Sequence, residues 1–203
     1  MIAIIDYDMG NLRSVQKALA VVGHDEAIVT SDAAEILRAE RLILPGVGAF
    51  ADAMKALASR GLIEPLKQSI AQGKPTLGIC LGMQLLFEVS HEDGEHRGLG
   101  LLAGSVEHFD VPRPLKVPHM GWNSLDFHAP SPLLAGVAPG EYVYFVHSYY
   151  CQPRDAAVVA ATSTYDRPFC ASIVHNNLYA TQFHPEKSQR AGLQILKNFA
   201  ELS

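Results

Sequence analysis

Long apolar runs, clustered positive charge and paired cysteines are all scarce in this chain of 203 residues. No apolar stretch approaches the roughly 18 residues of a membrane-spanning helix, which excludes an ordinary span and a membrane partner. The 16 Lys and Arg against 21 Asp and Glu give a net charge of -5, and no Lys/Arg cluster interrupts that balance. An electrostatic footprint for nucleic acid is therefore absent. Only three cysteines occur, Cys80, Cys151 and Cys170, widely spaced and without a CxxC pair. That excludes a zinc knuckle and argues against a disulfide framework, so a reducing cytoplasm fits best. The start, Met1-Ile2-Ala3-Ile4-Ile5-Asp6, lacks a basic n-region and reads as a first strand, not as a signal peptide. Nothing in the chain calls for a metal or a cofactor.

What is present is enough apolar residue, 48% of the chain, to bury a full core, and one domain over 1–203 is expected. The first half alternates strand and helix. Strands are expected at Ile2–Asp6, Glu26–Thr30, Arg41–Leu44 and Pro75–Ile79, and helices at Leu12–Val22, Asp32–Ala39, Ala49–Ser59, Ile63–Gln72 and Leu81–Val89. Such alternation points to an α/β fold with a parallel sheet flanked by helices. The second half is rich in Val, Tyr, Phe and Thr. It reads as strands at Gly104–Asp110, Gly121–Phe127, Glu141–Cys151, Ala157–Thr164, Phe169–His175 and Leu178–Phe183, then a helix at Arg190–Leu202. Asn176-Asn177 marks a hairpin turn, because Asn tolerates positive φ. Val111–Pro118 and Ala129–Pro139, where Pro and Gly concentrate, read as loops.

The densest chemical signal is Gly78-Ile79-Cys80-Leu81-Gly82-Met83-Gln84. A cysteine between glycines, at the end of an apolar run and the start of a helical pattern, has the layout of a nucleophile elbow. Backbone N–H groups at the helix start favour a thiolate there. A buried structural cysteine is the plain alternative. A nucleophilic cysteine needs a base and a group to orient that base. Gln182-Phe183-His184-Pro185-Glu186-Lys187 offers both, with His184 and Glu186 two apart, so that an extended segment points both side chains to one side. Alone, this pair reads equally as a surface pair without a role. A third piece, Leu44-Pro45-Gly46-Val47-Gly48-Ala49-Phe50, follows a strand and can present N–H groups to an oxyanion, or can be an ordinary turn. In a parallel sheet, loops at strand carboxyl ends line the ligand crevice, which would bring this loop near Cys80.

The elbow and the His-Pro-Glu segment resemble the class I (triad) glutamine amidotransferases. Pro45-Gly46-Val47-Gly48-Ala49-Phe50, His119-Met120-Gly121-Trp122-Asn123, Tyr144-Phe145-Val146-His147-Ser148-Tyr149 and Gly10-Asn11-Leu12 narrow the likeness to the glutaminase subunits of imidazole glycerol phosphate synthases. It runs over essentially the whole chain; one departure is His108, where relatives often carry Arg.

The resemblance implies an open, mixed and mainly parallel sheet in a three-layer, flavodoxin-like arrangement, with added antiparallel strands in the C-terminal half. It implies a catalytic triad of Cys80, His184 and Glu186, with oxyanion donors at Leu81 and, from the glycine-flanked loop, at Val47. Gly48, Gln84, His147, Ser148 and Tyr149 would hold glutamine; the plainer but less favoured alternative for Gln84 is a solvated helix residue. The implied partner is a (β/α)8-barrel cyclase subunit forming a heterodimer, with Asn11, Trp122, Tyr144 and Lys187 at the interface. Trp122 alone would suit a core position as well, and Lys187 a solvated charge. Glutaminase subunits of chorismate-using synthases share the elbow, but PGVGAF and HMGWN argue against them. A partner-free hydrolase of peptides or γ-glutamyl compounds, and a silent binding module on the same fold, are the other readings.

Overall fold

A computed structural model describes residues 1–202. The first half builds β1 (Ile2–Ile5), α1 (Leu12–Val21), β2 (Ile28–Thr30), α2 (Ala33–Arg38), β3 (Arg41–Gly46), α3 (Phe50–Ser59), α4 (Ile63–Ala71) and β4 (Thr76–Cys80). A short helix, α5 (Leu81–Leu85), leads into β5 (Phe87–Ser90), β6 (His96–Arg97) and β7 (Leu102–His108). Then come β8 (His119–Ser124), β9 (Asp126–Phe127), β10 (Tyr142–His147), β11 (Tyr149–Pro153), β12 (Val159–Tyr165), β13 (Arg167–His175), β14 (Leu178–Thr181) and α6 (Gln189–Ala200).

Eight strands form the main sheet in the order β2-β1-β3-β4-β14-β13-β12-β9. From β2 to β14 neighbouring strands are parallel, and from β14 to β9 they are antiparallel, so the sheet is mixed as expected. Period-two alternation splits the apolar side chains between two faces. Ile2, Ile4, Ile43, Leu77 and Ile79 meet Val15 and Leu19 of α1 and Ile195, Leu196 and Phe199 of α6. Ala3, Ile5, Leu42 and Leu44 meet Ile36 of α2, Phe50 and Leu57 of α3 and Leu66 of α4. Those strands read as continuous apolar runs because both faces are covered.

Register places the site. Gly46, the last residue of β3, pairs with Cys80, the last of β4, and Ile79 pairs with Thr181 at the end of β14. The Pro45–Gly48 loop, the cysteine and the His-Pro-Glu segment therefore leave three adjacent parallel strands at the same edge. α5 packs so closely on β3 that a Cβ on Gly82 would lie 1.7 Å from the Leu44 carbonyl oxygen. Only glycine fits there, which is why the elbow carries one.

Several expected boundaries shift. The helix expected over Leu81–Val89 stops at Leu85, and Phe87–Ser90 is a strand. The Leu85 carbonyl accepts from Leu99 N–H, Leu86 from Leu101 and Leu102, and Phe87 from Gly100, so pairing with a later segment captures groups a helix would have used. Phe87 and Val89 suit a strand in any case. The strand expected over Glu141–Cys151 divides at Ser148, its two parts joining different sheets: β10 pairs with β8, and β11 with β7. Likewise Gly121–Phe127 becomes β8, beginning at His119, and β9, in different sheets. Strand Glu26–Thr30 begins only at Ile28, and Leu178–Phe183 ends at Thr181. The Ala129–Pro139 loop holds a 3-10 turn at Pro132–Leu134. Asn176 does take positive φ, at 53°. No helix among the described residues is long and apolar enough to cross a membrane.

Candidate active site

Cys80 has φ 54° and ψ -110°, a sparsely populated conformation for a residue with a side chain, forced by the reversal from β4 into α5. The turn does not push the sulfur into bulk solvent, for Cys80 is only 7% exposed. It opens on a cavity of about 390 Å³ lined by Val47, Gly48, Cys80, Leu81, Gln84, Glu92, Pro118, Val146, His147, Ser148, Tyr149 and His184. That volume suits a small polar molecule. Most of these residues are among the sequence-derived site residues, drawn together from segments far apart in the chain.

Glu186 stands behind the cavity wall. Its Oε1 lies 2.9 Å from Nδ1 of His184, and the His184 and Glu186 side chains are 2% and 1% exposed. The pair is not held in an extended strand as the two-residue spacing suggested. His184 itself is extended, but Pro185–Lys187 forms a 3-10 turn that folds Glu186 back under the ring. Burial alone would lower the His184 pKa; Cys80 and then Glu186 outweigh it and raise the value to about 10 from an ordinary 6.5. His184 Nε2 makes no hydrogen bond among the described residues. The bond from the other ring nitrogen, Nδ1, to Glu186 is fully formed at 2.9 Å. At neutral pH His184 is an imidazolium, the partner that supports an anionic sulfur nucleophile.

Ser188 ties this turn down. Its hydroxyl donates to the His184 carbonyl at 2.7 Å and accepts from the Tyr144 N–H at 3.0 Å, while His184 N–H donates to the Tyr144 carbonyl at 3.0 Å. The triad turn is thus stitched to β10.

On the other wall, Tyr7 donates its hydroxyl to the Pro45 carbonyl at 2.6 Å. Burial pushes the Tyr7 phenol well above its usual range, so it stays a donor at any working pH. Pro45 is pinned, while Gly48 beyond Val47 has φ +102°, a conformation glycine takes without strain. The Gly46–Val47 peptide, whose N–H is the expected second oxyanion donor, lies between these two points. Val47 itself is exposed.

His147 and His119 form a buried relay. Nδ1–H of His147 donates to the Tyr149 carbonyl at 2.8 Å, leaving Nε2 to accept from Nδ1 of His119 at 3.0 Å. His119 Nε2 accepts in turn from the Asn123 amide at 3.3 Å. Burial lowers the His147 pKa to about 3 and that of His119 to about 4, so both rings stay neutral and every donor has one direction. Gln84 is buried, not solvated. Its amide nitrogen donates to the Tyr149 carbonyl at 3.1 Å and to Gln182 Oε1 at 3.2 Å.

The expected interface residues lie elsewhere on the surface. Trp122 is 45% exposed and so is not a core residue. It meets Tyr144 edge to face at 6.0 Å, and Lys187 Nζ sits 5.8 Å over the same Tyr144 ring. Lys187 pairs with that ring and not with Glu186. Met120 and Tyr142 add exposed apolar surface beside them. Asn11 stands at the start of α1 without a side-chain bond to the helix N–H groups, and accepts from the Ser14 hydroxyl at 2.7 Å.

Four lining or supporting residues escape a reading of the sequence: Glu92, Val146, Pro118 and Gln182. Glu92 follows β5, the strand expected as helix, so its approach to the cavity is hidden. Its Oε2 accepts from Phe50 N–H at 2.7 Å. Gln182 carries a usable signal, since it alternates with His184 and must face the same side. Among the described residues, no group of three or more His, Cys, Asp and Glu could hold a metal ion.

Comparison with known proteins agrees with this geometry. A family model described as "Glutamine amidotransferase class-I" matches residues 3–202. The chain is 54% identical over 207 residues to the imidazole glycerol phosphate synthase subunit HisH of Syntrophotalea carbinolica, covering 100% of both chains. It is 53% identical over 196 residues to the protein of that name from Aquifex aeolicus, covering 97% of this chain and 94% of that one. Among solved structures, one called glutamine amidotransferase superposes with TM-score 0.75 at 20% identity, over 98% of this chain and 100% of the other. A chain of PurLQS from Thermotoga maritima gives 0.72 at 19% identity, over 98% and 96%. The chain belongs to the class-I glutamine amidotransferase family.

Proposed function

We propose that this chain, as one domain over residues 1–203, is the glutaminase subunit of an imidazole glycerol phosphate synthase. The observation that carries the chemistry is that Cys80 and a protonated His184 line one amino-acid-sized cavity, with buried Glu186 bonded behind the imidazole. Full-length identity of 54% to a HisH subunit carries the pathway.

The Cys80 sulfur attacks the side-chain amide carbon of glutamine. Leu81 and Val47 N–H groups hold the oxyanion, each worth about 100- to 1000-fold in turnover. His184 gives its proton to the departing nitrogen, the C–N bond breaks, and ammonia leaves a γ-glutamyl thioester. The sulfur then bears no charge, so one of the interactions that keeps His184 protonated is gone. The neutral ring takes a proton from water, hydroxide adds to the thioester, and glutamate departs with the Cys80–His184 pair restored. Gly48, Gln84, His147, Ser148 and Tyr149 shape the amino-acid end, where the Glu92 carboxylate suits the substrate ammonium.

Glu186 orients His184 and stabilises its charged form. Glu186→Gln is expected to lower glutaminase kcat by about 100-fold. It should also flatten the pH dependence of stability. A folded pKa near 10 above an unfolded 6.5 gives stability that is complete below 6.5 and lost as pH rises to about 10. Urea melts of both proteins across that window measure the difference; identical slopes would contradict the pairing.

Free ammonia is protonated in neutral water and diffuses away, so the acceptor site belongs close by, on a second protein. The partner is a (β/α)8-barrel cyclase that uses the ammonia on a phosphoribulosyl aminoimidazole carboxamide ribotide, in the cytoplasm. Met120, Trp122, Tyr142 and the Tyr144–Lys187 pair form the docking face, with Asn11 at its edge. Reconstitution with that cyclase and its ribotide is expected to raise glutamine turnover several-fold and yield imidazole glycerol phosphate. An unchanged rate without product, or activity with a chorismate-using partner instead, would overturn this assignment.

A further inference from the structure

We infer that Gln182 is a positioning residue that aims an N–H at the Cys80 sulfur and holds the second N–H of the Gln84 amide, whose orientation the Tyr149 carbonyl sets. Gln182 is 0% exposed, and a buried primary amide is costly unless its donors and acceptor are used. Here they are used in one arrangement only. The Tyr149 carbonyl can only accept, so the Gln84 group beside it, at 3.1 Å, must be the amide nitrogen. That nitrogen's other contact, at 3.2 Å, must then be an acceptor, which turns Gln182 Oε1 toward Gln84. Gln182 Nε2 is left facing Cys80 Sγ, at 3.8 Å, within reach of a sulfur hydrogen bond. The orientation of the whole chain of amides follows from one backbone carbonyl.

Two consequences follow. An N–H donor on the sulfur stabilises its anionic form and adds to the charge partner supplied by His184. Gln84 has both donors engaged inside the protein, so only its carbonyl oxygen remains for the cavity. Glu92 lines the same cavity, so the Gln84 oxygen and a carboxylate are both acceptors open to an ammonium group. Gln182 touches neither substrate nor product in this arrangement; it acts through Cys80 and Gln84.

The test uses the full chain and iodoacetamide, with Cys80 alkylation followed by peptide mass spectrometry across pH. Gln182→Met keeps the volume but removes donor and acceptor. Gln182→Glu keeps an acceptor for Gln84 and sets a titratable carboxyl against the sulfur. Both variants are expected to alkylate about 10- to 100-fold more slowly at neutral pH, the range set by a hydrogen bond to a charged group, with the pH profile moved upward. In glutaminase assays Gln182→Glu should lower kcat with little change in KM, whereas Gln182→Met should also raise KM as Gln84 loosens. A packing role alone would lower the melting temperature and leave the alkylation profile in place, which would overturn the inference. Should Gln182→Met not fold, the profile of Gln182→Glu decides. The inference rests on Cys80 as nucleophile. If wild-type Cys80 is alkylated no faster than Cys151 or Cys170, both fall; if it is alkylated faster and the variants match it, only the role of Gln182 falls.

Discussion

Replacing Cys80 with alanine is expected to abolish glutamine hydrolysis, by about a million-fold or to the detection limit. The size follows from what the substitution removes. No other side chain lining the cavity can form a thioester: Gln84, Glu92, Ser148 and Tyr149 are there, but none lies at an elbow opposite an imidazolium. The two remaining cysteines cannot substitute. Burial pushes the Cys170 thiol up to about 12 and that of Cys151 well above its usual value, so both stay protonated. The fold should survive, because alanine removes a single sulfur whose contacts, to Val146 O at 3.9 Å and from Gln182 at 3.8 Å, are long. Purified Cys80→Ala with a wild-type melting curve and measurable glutaminase turnover above about one ten-thousandth of normal would be incompatible with covalent catalysis at this residue.

Loss of the base comes next. His184→Asn is expected to cost about 1000-fold or more, since one group serves as acid for the leaving nitrogen and as base for water. The variant carries a second signature. Wild-type activity should fall as pH rises through about 10, where His184 loses the proton it must donate. With asparagine the residual rate should show no such fall. A pH series on both proteins under saturating glutamine tests this, and an unchanged alkaline limb in His184→Asn would assign that titration to another group.

Much of this is legible in the residues. The alternation of apolar strand segments such as Ile2–Asp6 and Arg41–Leu44 with helical patterns such as Leu12–Val22 is enough to predict a parallel sheet flanked by helices. Parallel connection then brings the ends of β3 and β4 side by side, so Gly46 and Cys80 become neighbours. His184 and Glu186 are legible from spacing, though their local geometry is not, since Pro185 starts a turn and does not extend the strand. What the sequence hides is decided by long-range pairing. Nothing local shows that the Leu85, Leu86 and Phe87 carbonyls will be taken by the segment from Leu99 to Leu102, so the expected helix is too long and Glu92 goes unseen. The break at Ser148 is of the same kind: the run 141–151 serves two sheets because its halves pair with β8 and with β7, which belong to different sheets. The His119–His147 relay depends on the β8–β10 register, which pairs those two residues across the ladder.

The central claim is that Cys80, alone among the three cysteines, is the covalent nucleophile for a glutamine-shaped ligand. Its most direct measurement is mass spectrometry of the chain after treatment with a diazo-oxo analogue of glutamine, alongside residual glutaminase activity. A single label on Cys80, with activity lost in proportion and protection by glutamine, is the expected result. Labelling of Cys151 or Cys170 instead, or full activity in chains already labelled at Cys80, would contradict it.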